Sequence, residues 1–297
     1  MPLPEQDSSS AQAFVASPAS LPALRAAYSD RTAGLMAHLA AFAYDPSIEA
    51  KPPISVPQQL SVLGFTEFWA FHNGMTNGWA YIARGPDLIV LSFRGTKSIQ
   101  DWETDFHVAL VHPHGTDSHL RVHKGFYRAF EKLAEGVDGL VVRLDELKKQ
   151  TGGQIPIYIT GHSLGGALAQ IASAVTGDDQ VAACYTFGSP RVGNTYFDLW
   201  VKVPSYRLVN YADIVPQVPL PLPVLFQYRH SGDPRYLPEH AGTSPYRFEP
   251  GPLTRLWQIG QGLVQWVKAG SILGVADHAI AEYSQKLDQI TANRAQS

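Results

Sequence analysis

One cysteine in 297 residues, Cys184, is too few for an intramolecular disulfide or a thiolate zinc cluster. It falls in the apolar run VAACYTF, where it reads as a small core side chain in a strand. No run of eighteen apolar residues occurs, so no membrane-spanning helix is expected. Basic charge is scarce too. Lys and Arg number 23 against 26 Asp and Glu, the net charge is −3, and no basic stripe forms, so nucleic acid is not expected as a partner. The histidines show neither H-E-x-x-H nor pairing with a cluster of carboxylates, so nothing calls for a metal or another cofactor. Residues 1–20 lack a basic start and a continuous apolar centre, and read as a loose tail rather than a secretory signal.

What the chain does have is apolar content, 45% of its residues, enough to bury a large core. Residues 21–44 are alanine-rich with a helical apolar stripe and predict one or two helices. FTEFWAFHN, GWAYIARG and DLIVLSFRG are aromatic and β-branched, separated by Asn73-Gly74 and Gly85-Pro86-Asp87, and predict a meander of strands. From Phe126 to Leu147 apolar residues recur every three or four positions, the pattern of one amphipathic helix. Then come the strand IPIYIT, the small-residue helix LGGALAQIASAVTG, the strand QVAACYTFG, a short helix around TYFDLWV and the strand YRLVNY. Strands alternating with helices imply a single α/β domain over residues 21–297, built on a mostly parallel sheet with its site at the carboxyl ends of the strands. The proline-dense stretch VPQVPLPLPVLFQYRHSGDPRYLPEH suits neither a helix nor a sheet core and predicts a surface excursion over about 216–252.

Gly161-His162-Ser163-Leu164-Gly165 fits G-x-S-x-G, a pattern that about one chain in ten of this length would hold by chance at roughly 7% usage per residue. Its context is more selective. A β-rich run stops at the motif and an alanine-rich helix begins just after it, the strand-turn-helix of a nucleophile elbow. Glycines two residues to either side of the serine let strand and helix pass closely, and the helix amino end can present the backbone N–H of Leu164 to a developing oxyanion. A serine hydroxyl also needs a base, and the base an acid, in the chain order serine, acid, histidine on such a scaffold. Asp213 fits the acid because YRLVNYAD runs a strand straight into it. Asp178 and Asp179 look like solvated turn residues, and Asp198 lies on a short helix. Three histidines follow Asp213: His230 and His240 in the proline-rich stretch, and His278 after the apolar run in GSILGVADHAIAEY. His278 is taken as the base.

Five motifs in order, FRGTKSIQDW, VHKGF, GHSLGGALA, TFGSPRVGN and NYADIVPQVP, make residues 35–290 resemble the class 3 lipases, the fungal-lipase-like branch of the α/β-hydrolases. The resemblance implies an α/β-hydrolase fold with a mostly parallel central sheet flanked by helices and a lid segment. It implies that Ser163 is the nucleophile, Asp213 the acid, and Thr96 the oxyanion-hole residue beside Leu164. It also implies that the histidine of FQYRHSG is not catalytic, which favours His278. The chain departs from the fungal pattern twice: His278 stands in DHAIAEY where many members read His-Leu-x-Tyr, and no disulfide can form. The second departure suggests a bacterial-type relative, either cytoplasmic or a secreted chain lacking or trimmed of its signal.

In TKSIQDWETDF the apolar Ile99, Trp102 and Phe106 fall three and four apart with polar residues between, and the same segment in the family is a hinged lid, so residues 97–107 are expected to cover the site. A second amphipathic run, LTRLWQIGQGLVQWVK, reads as core packing rather than lipid contact. The expected activity is hydrolysis of carboxylic esters of lipids, as in a triacylglycerol lipase or carboxylesterase, through an acyl-enzyme on Ser163 at a lipid–water interface. Phospholipase A1 and feruloyl or short-chain esterase share the same triad. A non-catalytic binding protein on a hydrolase scaffold is the rival of another class.

Overall fold

A computed structural model describes residues 21, 25–46, 56–95, 109–136, 138–177, 179–211, 213–219, 227–238 and 278–295. The expected tail at 1–20, Thr96, the expected lid at 97–107 and the amphipathic run at 253–268 lie outside these residues. The elements run α1 (Asp30–Phe42), α2 (Gln58–Val62), β1 (Glu67–Asn73), β2 (Gly78–Arg84), β3 (Ile89–Phe93), β4 (Leu110–Val111), β5 (Val122–His123), α3 (Lys124–Ala134), α4 (Leu140–Thr151), β6 (Ile157–His162), α5 (Leu164–Thr176), β7 (Val181–Phe187), α6 (Thr195–Trp200), β8 (Ser205–Val209), β9 (Asp233–Tyr236) and α7 (Ile280–Ala295). Seven strands form one sheet in the order β1-β2-β3-β6-β7-β8-β9, and β4 pairs with β5 apart from it. The meander β1-β2-β3 is antiparallel, and every pairing from β3 to β9 is parallel.

Alternation along the strands builds two cores. Ala80, Ile82, Ile89, Leu91, Phe93, Ile157 and Ile159 face α3, α4 and α5, where Phe126, Phe130, Leu144, Leu168 and Ile171 cover them. Tyr81, Val90, Tyr158 and Tyr185 face the other way, onto Leu35, Met36 and Leu39 of α1 and Tyr283 and Leu287 of α7. The register shifts between Ile157, paired with Val181, and Tyr158, paired with Ala183, so Ala182 is one extra residue in β7. Ala182 and Ala183 therefore both belong to the second core, and Cys184 returns to the first beside Ile159. Cys184 is fully buried there, and burial pushes its thiol up to about 12, so it is inert packing.

Two expectations change. The single helix of 126–147 is two helices: Glu135 is extended, Gly136 takes φ +89°, a value costly for any other residue, and the chain turns before α4 starts. The apolar spacing continues across this break because both helices pack on the same core. The stretch 216–252 is not all surface either. Tyr228 is completely buried, and Asp233–Tyr236 joins the sheet as β9. Pro234 is tolerated there because an edge strand needs ladder donors on one side only.

Helix α3 begins on an unusual cap. The Nδ1 atom of buried His123 accepts from the backbone N–H of Gly125 at 3.1 Å and of Phe126 at 3.3 Å, and its ring stacks on Phe126 with centroids 3.9 Å apart. A protonated Nδ1 could accept neither bond. Burial lowers the His123 pKa from 6.5 to about 4, so between these values the unfolded chain takes up a proton that the folded one refuses, and stability falls as the pH drops through that window. Asparagine can cap the helix without titrating. Urea unfolding followed from pH 7 to pH 4 is expected to show the wild type losing about 3 kcal/mol more than His123→Asn.

Candidate active site

The described site residues gather at the carboxyl ends of the parallel strands, where this kind of sheet places its ligands. Arg94 and Gly95 follow β3, Ser163 follows β6, Gly188 follows β7, and Asn210 and Asp213 follow β8. Ser163 stands between β6 and α5 with φ 59° and ψ −129°, a left-handed region that a serine enters only at a cost. Its backbone N–H donates to the Phe187 carbonyl at 2.9 Å. The flanking glycines are sterically required. A Cβ on Gly161 would run into the Gly165 carbonyl, and a Cβ on Gly165 into the Phe93 carbonyl.

Three side chains that are remote in sequence meet at this turn. His278, just ahead of α7, places Nε2 3.0 Å from the Ser163 Oγ and Nδ1 2.8 Å from Oδ2 of Asp213. A carboxylate can only accept, so Nδ1 carries the proton, and Nε2 is left to accept from the Ser163 hydroxyl. All three residues are buried, with Asp213 and His278 each 4% exposed. Asp213 is held by two further bonds. The Tyr283 hydroxyl donates to Oδ2 at 2.6 Å, and the Val215 N–H donates to Oδ1 at 2.9 Å. Tyr283 in turn accepts from the Asn210 N–H at 3.0 Å, and the Lys286 ammonium donates to Oδ1 of Asn210 at 2.7 Å. A buried carboxylate so supplied with donors stays aligned on its histidine.

Leu164 is the first residue of α5, where a backbone N–H has no acceptor within its own helix. Thr96, Ile99, Trp102 and Phe106 fall outside the described residues, as do His240 and Asp178. Asp179 is exposed, and Asp198 is engaged elsewhere, accepting from the Gly232 N–H at 3.0 Å. His230 lies next to the bridge between Gly193 and Arg229. Sequence reasoning missed Tyr283, Asn210, Tyr44 and His162. Two signals were present: His162 is the variable position of the elbow motif, and Tyr283 stands five residues beyond His278 where many fungal members carry a tyrosine three beyond.

The class 3 lipase family profile matches residues 90–222. A secreted mono- and diacylglycerol lipase from Fusarium solani is 31% identical over 214 residues, 67% of this chain and 57% of its own length. The chain belongs to the class 3 lipase family. A lipase from Rhizomucor miehei is 33% identical over 177 residues, covering 54% of this chain and 46% of its own. The crystal structure of a mono- and diacylglycerol lipase from Aspergillus oryzae matches with a TM-score of 0.63 at 25% identity, over 74% of this chain and 84% of that one. The fold is thus the α/β-hydrolase fold, with a mostly parallel central sheet between helices. The chain spans about half the length of the curated relatives it matches.

These relatives correct one expectation. The chain was expected to be either cytoplasmic or a secreted protein lacking or trimmed of its signal, yet the Fusarium solani protein and further relatives are named as secreted, which points to an extracellular rather than a cytoplasmic location. A core of this size holds without a disulfide, so the lack of one does not decide the compartment. Among the described residues, no helix is long and apolar enough to cross a membrane, and no group of three or more metal-binding side chains is assembled.

Tyr283→Phe removes the hydroxyl that joins Asp213 to Asn210 while keeping the packed ring. It is expected to lower the unfolding free energy at neutral pH by about 1.5–3 kcal/mol, the worth of a hydrogen bond to a charged group, as read from urea midpoints at unchanged slope.

Proposed function

We propose that this class 3 lipase hydrolyses carboxylic esters of lipids, acylglycerols foremost, through an acyl-enzyme on Ser163. The carrying observation is the bonded run from Asp213 through His278 to Ser163, 2.8 Å and 3.0 Å long, at a strained turn. In this reading the Ser163 Oγ attacks the ester carbonyl carbon while His278 Nε2 takes the hydroxyl proton, and Asp213 steadies the imidazolium. The carbonyl oxygen becomes an oxyanion, held by the backbone N–H of Leu164 and by donors at Thr96. As the intermediate collapses, the carbon–oxygen bond to the alcohol breaks and His278 returns the proton to that oxygen. Water then attacks the acyl-enzyme, giving up its proton to His278, and the fatty acid leaves as Ser163 recovers its hydrogen.

The substrate class rests on the relatives, whose printed names are lipase and mono- and diacylglycerol lipase. Their names also suggest that the substrate is met outside the cell. Residues 97–107 are proposed as the cover of the acyl groove, because Ile99, Trp102 and Phe106 can offer one apolar face to it in water or to an oil surface when open.

Ser163→Ala is expected to cut turnover of p-nitrophenyl butyrate and of emulsified triolein by about a millionfold, with His278→Ala close behind. Near-normal hydrolysis by Ser163→Ala would overturn the mechanism. A wild type that is inert on both esters and unlabelled by a fluorophosphonate probe would favour the binding-protein reading.

A further inference from the structure

The residue beside the proposed nucleophile has its own chain of bonds. The Nε2 atom of His162 lies 2.6 Å from the main-chain carbonyl oxygen of His278, and Nδ1 lies 2.8 Å from the Tyr44 hydroxyl. A carbonyl can only accept, so Nε2 carries the hydrogen and donates, which leaves Nδ1 to accept from Tyr44. The same hydroxyl accepts from the Gly95 N–H at 3.1 Å. A continuous relay therefore runs from the end of β3, through the end of α1, to the backbone of His278. It joins segments 51, 118 and 116 residues apart, and each of its interior groups both gives and receives a hydrogen bond.

We infer that His162 and Tyr44 are positioning residues, which fix the backbone of His278 over Ser163 and tie it to Gly95, the residue before the proposed oxyanion donor. The inference rests on the ester-hydrolase reading above. His278 needs such an anchor because it stands outside α7, with one residue between it and the helix start, and its imidazole must hold two bonds in line. The donor must also be uncharged. The His162 ring centroid lies 4.6 Å from that of His278, so a proton on both rings would place two cations side by side just when His278 takes up the serine proton. Burial, and next the nearby His278, hold the His162 pKa well below the usual histidine range. Burial likewise raises the Tyr44 phenol, which keeps its hydrogen for donation. His162 thus supplies a fixed neutral N–H where a lysine or a water would bring charge or mobility.

The test uses His162→Leu, His162→Gln and Tyr44→Phe in the full chain, with p-nitrophenyl butyrate as substrate and active sites counted by fluorophosphonate titration. His162→Leu is expected to lower kcat per titrated site up to about a hundredfold, as a shift near 1 Å in the base would, with kcat and kcat/KM falling together. His162→Gln keeps an N–H near the His278 carbonyl and is expected to recover most of that loss. Tyr44→Phe, which removes a single oxygen, is expected to fall between them. A role in folding alone would reduce the number of titrated sites while leaving turnover per site at the wild-type value. That result in Tyr44→Phe and in whichever His162 variants fold, or a glutamine variant no better than leucine, would overturn the inference. Ser163→Ala is run alongside: if it stays active, the hydrolase reading itself fails, whereas an inactive Ser163→Ala with fully active relay variants sinks only the relay.

Discussion

Strand β6 and helix α5 pass so closely that neither Gly161 nor Gly165 has room for a methyl group, and this crossing governs everything built on top of it. It forces Ser163 into a left-handed conformation, and the strain persists only because both neighbours are locked into the centre of the molecule. β6 is hydrogen-bonded on both sides, to β3 and β7, and all thirteen residues of α5 except Leu164 and Val175 are buried or flank that packed face. The turn cannot relax without unpairing the sheet. A hydroxyl delivered this way has a fixed address, so the base and acid need only be brought to it.

They arrive by two routes. Asp213 comes on the loop after β8, two strands away, and is fastened by the Val215 N–H and the Tyr283 hydroxyl. His278 comes from far along the chain and is held through its carbonyl by His162. Helix α7 serves both, since Tyr283 supports the carboxylate and packs beside Phe187 at the end of β7. Its other contacts run to α1, where His38 meets Asp288 at 3.0 Å and Arg294 meets the buried carboxylate of Asp30 at 3.0 Å. Most of these partners lie on the same face of the sheet, so packing of that face and alignment of the site are one requirement.

The elbow was legible in the sequence because its strand, turn and helix are contiguous and its glycines act on their immediate neighbours. The meander was legible for the same reason: Asn73 organises its own turn, its side chain accepting from the N–H groups of Met75 and Thr76. The break between α3 and α4 was hidden because both helices keep their apolar residues toward one core, and periodicity does not register a change of axis at Gly136. Strand β9 was hidden by its proline, which argues against a strand unless the strand is known to be outermost. Tyr44 gave no signal because its partner is 118 residues away, and Tyr283 gave only that of a tyrosine displaced by two positions from the family spacing, since a phenol bonded to a histidine or a carboxylate looks like any core tyrosine until the chain is folded.

The proline in β9 has an effect beyond pairing. A parallel sheet with a free rim is a template on which another extended chain can crystallise, and such growth begins with unpaired amide donors lined up in a row. Here the strand at the parallel edge, β9, is only four residues long, and one of its four nitrogens has no hydrogen to give. That border is blunt, because an approaching strand finds too little to hold.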